Sequence, residues 1–303
     1  MERSCLWVGR TGQLMEGSME TRFYQIAGLC FRVQGASGSF NPRDGHLAAF
    51  RISERDWDVE CTMEVVDALA EPMGEPTFLD RENCIFSMPD RTVRYIGAVE
   101  QSIDGSYMRI ERVGKKHHVQ IKRSALPSGI TSKVIVSALE VIHHLTAAGG
   151  FLLHASWIQV GEKAVLFTGP SGVGKSTQAA LWERYRNARL INGDRAAIFP
   201  GDHEVQVRGI PYCGSSGVSE NVTMPLGAVV CLGQAHQTTI QQLTGVKAFR
   251  RLWQECCINI WNPEDLERGS QAVSDMLSHV PVFDLRCTPD LSAVQALENE
   301  GVI

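Results

Sequence analysis

Apolar and polar residues alternate through 23–33, Phe-Tyr-Gln-Ile-Ala-Gly-Leu-Cys-Phe-Arg-Val, as a half-buried β-strand requires. A turn-rich stretch from Gly35 to Gly45 follows. Further strands are predicted at 50–52, 57–63, 84–88, 92–99, 107–113 and 117–123, with hairpin turns at Asp104-Gly105 and Gly114-Lys115. This spacing predicts an antiparallel, all-β module over 20–130, closed by Pro127-Ser-Gly129.

The period then changes. Apolar residues at 134, 135, 136, 139, 142 and 145 predict one helix over 134–146, capped by Thr131 or Ser132 and ended by Gly149-Gly150. Strands are predicted at 151–160 and 163–168, a helix over 175–185, and a strand over 188–194 that ends in an acid. A hairpin joins 196–199 to 205–208. The Gly/Ser/Pro-rich stretch 209–225 reads as mobile or ordered by ligand. A buried-type strand at 226–232, helices at 245–256 and 264–278, a strand at 282–287 and a last helix from Pro289-Asp290 to about 298 complete an α/β domain over 131–303. Residues 1–19 read as a disordered tail, or translation starts at Met15 or Met19. No internal repeat and no low-complexity tract is visible.

Composition narrows the function classes. With 303 residues and 44% apolar content, the chain can build two ordinary domains. Its 34 acidic and 29 basic residues leave a net charge of −5, which gives no general attraction to nucleic acid or an anionic membrane. No apolar run approaches the ~20 residues of a membrane span, and the N-terminus has no signal-peptide core. The nine cysteines lack CxxC spacing, so neither a zinc nor a disulfide framework is expected. Adjacent Cys256 and Cys257 should point to different faces of a helix. Free thiols in a reducing cytoplasm are the expectation.

The chemistry concentrates at Gly169, Pro170, Ser171, Gly172, Val173, Gly174, Lys175, Ser176 and Thr177, between a predicted strand and a predicted helix. There the glycines let several backbone N–H groups turn into one concavity, and the helix N-terminus adds partial positive charge. Lys175 can reach the β/γ-phosphates of a nucleotide, and the Ser176 hydroxyl can join a Mg²⁺ shell. Such a loop needs a carboxylate for the metal or the nucleophile. Asp194, at a strand end 19 positions past Lys175, is the best candidate. The competing strand 227–234 ends in Gln, which weakens a standard ATPase or GTPase reading.

His154, inside an apolar strand, is either a core residue or a polar group held beside the phosphates. Arg208, next to Gly209, is a candidate phosphate or substrate clamp, with a routine salt bridge as the competing reading. Arg195 is a weaker version of that idea. The His117-His118 and His143-His144 pairs have no third ligand at metal spacing. Cys213 has no evident base beside it.

Leu153-His154-Ala155-Ser156, Gly169 to Thr177, Leu190-Ile-Asn-Gly-Asp194, Val207-Arg208-Gly209-Ile210-Pro211, Pro225-Leu226 and Pro281-Val-Phe-Asp-Leu285 occur in that order. Through them the chain resembles the HPr kinase/phosphorylase-like proteins over roughly 140–298. The resemblance implies a phosphoenolpyruvate-carboxykinase-type P-loop domain. It places His154 near the phosphates, gives Lys175 and Ser176 to phosphate and Mg²⁺, and makes Asp194 the base toward a serine hydroxyl. Two positions depart from the pattern: Gly193 stands where the bifunctional enzymes carry a second acid, and Gln206 where they carry a metal-binding Glu. A neutral amide holds a divalent ion less well than a carboxylate.

The expected activity is therefore ATP- and Mg²⁺-dependent transfer of a phosphoryl group to an aliphatic hydroxyl, a serine of a precursor peptide or a small molecule. The β module is expected to bind that substrate or its leader. The alternative is a nucleotide-binding regulatory or peptide-binding scaffold without transfer. Neither reading calls for nucleic acid or a membrane, and self-association stays open.

Overall fold

In the computed structural model the described residues are all except 1–5, 9–13, 17, 42–44, 46, 100–102 and 303. The chain divides into two compact units, Met1–Glu140 and Val141–Ile303.

In the first unit, β1 (Leu6–Val8) and β2 (Leu14–Glu16) pair with each other, within the stretch expected as a tail; the rest of that stretch lies mostly outside the described residues. Nine more strands form one sheet: β3 (Met19–Ile26), β4 (Leu29–Ala36), β5 (Arg51–Ile52), β6 (Val59–Val66), β7 (Phe78–Leu79), β8 (Asn83–Ser87), β9 (Thr92–Gly97), β10 (Ser106–Val113) and β11 (Lys116–Lys122). Their spatial order is β5-β3-β4-β6-β11-β10-β9-β8-β7.

The expected all-antiparallel module needs correction. β6 lies parallel to both β4 and β11. The hairpins β3–β4 and β10–β11 are antiparallel because short turns join them. β6 reaches its neighbours only through long connections, the kind a parallel pair requires.

Helix α1 (Ser132–Ala138) is capped by the Thr131 side chain, which accepts a hydrogen bond from Val134 N. It stops short of the single helix predicted to 146. Glu140 takes a left-handed backbone, φ 44°, and its buried carboxylate accepts from Arg112 Nε at 2.8 Å and stands 3.7 Å from Arg94 Nη1. The helical period continues past Glu140, but this ion pair overrides it.

The second unit holds α2 (Val141–Ala147), β12 (Phe151–Val160), β13 (Lys163–Thr168), α3 (Lys175–Arg186), β14 (Arg189–Asn192), β15 (Arg195–Pro200), β16 (Val205–Arg208), β17 (Thr223–Gln234), β18 (Thr239–Leu243), α4 (Gly245–Trp253), β19 (Cys256–Cys257), α5 (Pro263–Leu277), β20 (Val282–Cys287) and α6 (Leu291–Asn299). β13, β17 and β20 run parallel at the centre. Their near-continuous apolar runs are explained by burial on both faces. On one face Trp157, Leu166, Val229 and Val282 meet α4 and α5 through Leu252, Val273 and Met276. On the other, Val165, Phe167, Val230 and Leu285 meet α3 and α6 through Trp182, Val294 and Leu297. The result is helices on both sides of a mixed sheet.

Two long strands belong to two neighbourhoods each. Residues 151–154 of β12 pair with β15, and 155–160 pair with β13. β17 begins against β16 and continues against β13.

Three local expectations change. The helix predicted to 256 ends at Trp253, and Cys256-Cys257 become a short strand because the free edge of β12 takes them, Leu153 opposite Cys256. β18, with its weak alternation, was not expected. The 209–225 stretch is tied down, with Gly209 N donating to Val222 O, Glu220 N to Ile191 O and Gly193 N to Val218 O. No described helix is long and apolar enough to cross a membrane.

Candidate active site

The glycine loop leaves the end of β13 and enters α3. Gly169, Gly172 and Gly174 have φ of 145°, 79° and 115°, a region that favours glycine strongly. Gly174 is the residue just before α3, so the free N–H groups of the first helical turn follow the loop directly. Lys175 is buried, and its Nζ donates to Gly169 O at 2.7 Å and Pro170 O at 3.1 Å. Burial pushes its ammonium below the ordinary lysine range, against the opposing pull of Glu255 and Asp194. Both carboxylates are therefore within electrostatic reach of the loop lysine. The Ser176 and Thr177 side chains are exposed.

Backbone pairing sets the acids in place. β12 runs beside β13, with Ala155 opposite Thr168, so His154 arrives next to the loop. Ala155 N donates to Asp194 O at 2.9 Å, which fixes Asp194 beside it. Asn192 Oδ1 accepts from the N–H groups of Asp194 and Arg195, and its Nδ2 donates to Ile210 O, holding the turn. On the other side His154 N donates to Glu255 O at 2.9 Å, where β19 begins.

The imidazole of His154 consequently lies between two acids. Its Nε2 stands 3.7 Å from Asp194 Oδ1 and its Nδ1 3.5 Å from Glu255 Oε2. Arg195 Nε donates to Asp194 Oδ2 at 3.2 Å, and the Arg195 guanidinium lies over the Tyr212 ring. Arg251 donates from Nη2 to Leu232 O at 2.8 Å and has Glu255 and Asp284 each at 3.9 Å.

Asp194 does not point into the core; about a quarter of its side chain is exposed. Two glycines crowd it. A Cβ at Gly193 would fall 2.1 Å from Ser216 Oγ, and one at Gly214 would fall 2.9 Å from the Asp194 Cβ. The 213–217 turn is packed so closely here that no second acid fits at 193.

Arg208 ends β16. Its guanidinium stacks on Phe199 at 4.1 Å and donates to Gln206 Oε1 at 3.1 Å. Arg208 opposes Ala197, so its side chain shares a face with Phe199 and Gln206, and with Arg195 two residues the other way along β15. The arginine at Asp194 is Arg195. Glu255 and Arg251 were missed altogether. Their one signal was an i,i+4 Arg–Glu spacing at a helix end, which is too common to single out.

Among the described residues, no group of three or more His, Cys, Asp or Glu is set to hold a metal ion. A Mg²⁺ ion commonly takes one or two carboxylates, with substrate phosphates and water completing its shell. The exposed Ser176 hydroxyl and the partly exposed Asp194 carboxylate fit that requirement.

No family model matches the chain, and no curated protein matches its sequence. Among solved structures, the chain is similar to the structure of the Hpr(Ser) kinase/phosphatase from Coxiella burnetii, at 11% identity and a TM-score of 0.28. That likeness covers 50% of this chain and 96% of the other. A likeness at this level establishes neither family nor activity.

Proposed function

We propose that the second unit is an ATP-dependent kinase that transfers the γ-phosphoryl group to an aliphatic hydroxyl, on a peptide serine or a small molecule. One observation carries the reading: a glycine loop and its lysine lie at a strand end beside an accessible carboxylate, with a histidine between that carboxylate and a second acid.

The loop N–H groups and Lys175 bind the terminal phosphates and stabilise the equatorial oxygens of the moving phosphoryl group. To do so, the Lys175 ammonium exchanges its bonds to Gly169 O and Pro170 O for phosphate oxygens. Ser176 and Asp194 would hold Mg²⁺, which would supply charge neutralisation at the phosphates. Asp194 orients the acceptor hydroxyl. As its oxygen bonds to the γ-phosphorus and the bond to the ADP oxygen breaks, the hydroxyl proton passes to the Asp194 carboxylate. A carboxylate is a weak base for an alcohol, so positioning outweighs basicity. His154 fixes the carboxylate from one side and Arg195 from the other.

Incubation with γ-labelled ATP and a panel of serine peptides, hydroxyl metabolites and cell extract tests the reading. Labelled product should form and should fall by roughly 10²–10⁴ in Asp194→Asn. The second reading is a nucleotide-binding regulatory protein without transfer. It is favoured by the Arg195–Asp194 ion pair, which already engages the proposed base. ATP binding with no labelled product from any acceptor would select it.

A further inference from the structure

The glycine loop has two flanks. On the β12 flank stand His154, Asp194 and Glu255. The other flank is formed by the carboxyl ends of β17 and β20, which follow β13 in the parallel part of the sheet. There a cleft of about 630 Å³ opens directly from Gly172–Gly174 and runs along 232–236 to 287–289. We propose that this cleft holds the nucleoside, a purine base with its ribose, of the triphosphate bound by the loop. The acceptor hydroxyl then approaches from the opposite flank. The proposal rests on the kinase reading only for the loop's binding of phosphate, not for the transfer.

Four observations favour this occupant. The cleft is continuous with the loop, so a ligand whose phosphates sit on the loop N–H groups has its remainder beside it. Ligands in open α/β sheets bind outside the carboxyl ends of parallel strands, and β13, β17 and β20 all end here. The lining carries no carboxylate, lysine or arginine. It combines Val173, Leu232 and Pro289 with the donors and acceptors of Thr177, Gln234, His236 and Thr288. An uncharged, partly apolar cleft of this size suits a planar heterocycle and a sugar, not a further phosphate.

The fourth observation is a buried polar group without a partner. Gln178 is 3% exposed and lines the cleft. Its Nε2 donates only to the Cys287 sulfur at 3.2 Å, and its Oε1 has no hydrogen-bond partner. A buried acceptor left unpaired is costly. Turned toward the cleft, this amide would find its donor in a ribose hydroxyl or a base N–H.

Calorimetry with ATP, GTP and inorganic tripolyphosphate, on the wild-type chain and on Ala235→Phe, tests the proposal. Ala235 lines the cleft and is not part of the glycine loop. At least one nucleoside triphosphate should bind the wild type roughly tenfold or more tightly than tripolyphosphate. In A235F that gap should close while tripolyphosphate affinity stays within about threefold, which also shows that the variant is folded. Equal wild-type affinity for all three ligands overturns the nucleoside cleft and leaves the loop's phosphate binding standing. So does a gap that survives in A235F. If neither the nucleotides nor tripolyphosphate bind, the loop itself has been misread and the cleft proposal falls with it.

Discussion

Asp194→Asn separates chemistry from architecture. The amide keeps the shape of the carboxylate and removes its charge. The lost native interactions are an ion pair to Arg195 at 3.2 Å and a longer one to His154 at 3.7 Å, both with side chains about a quarter to a third exposed. Exposed pairs of this kind contribute about 0–1 kcal/mol. The backbone bonds from Asn192 and Ala155 that hold the turn do not involve the carboxylate. Thermal unfolding should therefore shift by no more than about 4 °C. A positioned base contributes ~10²–10⁴ in rate, which is about 3–5 kcal/mol on the barrier at 1.36 kcal/mol per tenfold. Single-turnover transfer from γ-labelled ATP should fall by that factor. ATP affinity should change by less than about tenfold, since the loop and Lys175 are intact. Transfer within threefold of wild type, in a folded variant, would refute Asp194 as the base. An equally large loss of ATP binding would assign it to the nucleotide instead.

Glu255→Gln should lower transfer by roughly 10-fold without abolishing it, because Glu255 acts through His154; an unchanged rate and pH profile would make the acid purely structural. Gly193→Ala should destabilise the site by about 1–3 kcal/mol, since its Cβ would fall 2.1 Å from Ser216 Oγ, and a denaturant titration showing no change would contradict the packing. Asp265 is fully buried and accepts from His143 Nδ1 at 2.9 Å, Thr146 Oγ1 at 2.9 Å and Asn259 Nδ2 at 2.8 Å, so Asp265→Ala should cost about 3–5 kcal/mol in chemical denaturation. Burial pushes that carboxyl up, but its hydrogen bonds and the charge of His143 outweigh burial and hold it below the ordinary range. Its stabilisation is therefore full above about pH 4 and lost as pH falls through the lower folded value; the gap between wild type and Asp265→Asn should narrow in that window, and a gap constant with pH would refute the assignment.

What could be read from the chain was local. The run Lys163–Thr168, the glycines that follow and the helix period after Lys175 each announce themselves within about ten residues. Asp194 stands out because it follows so closely on the apolar pair Leu190-Ile191, two residues past the end of β14. Glu255 does not, because it reaches His154 only when β19 pairs with β12, a contact across a hundred positions of sequence. The parallel pairings of β6 were hidden for the same reason: alternation gives a strand its faces and says nothing about its neighbours. A basic residue before a glycine looks the same in sequence whether it faces a ligand or stacks on an aromatic ring, as Arg208 does on Phe199. Glu140 broke a helix whose apolar period was intact, through two arginines on β9 and β10.

The main-chain bonds that lace residues 154, 155, 194 and 255 together have a practical corollary. The frame of this corner is peptide, and the side chains are fittings mounted on it. Exchanging one fitting leaves the mounting points where they were. Swaps at these positions can therefore be compared with one another on a common scaffold.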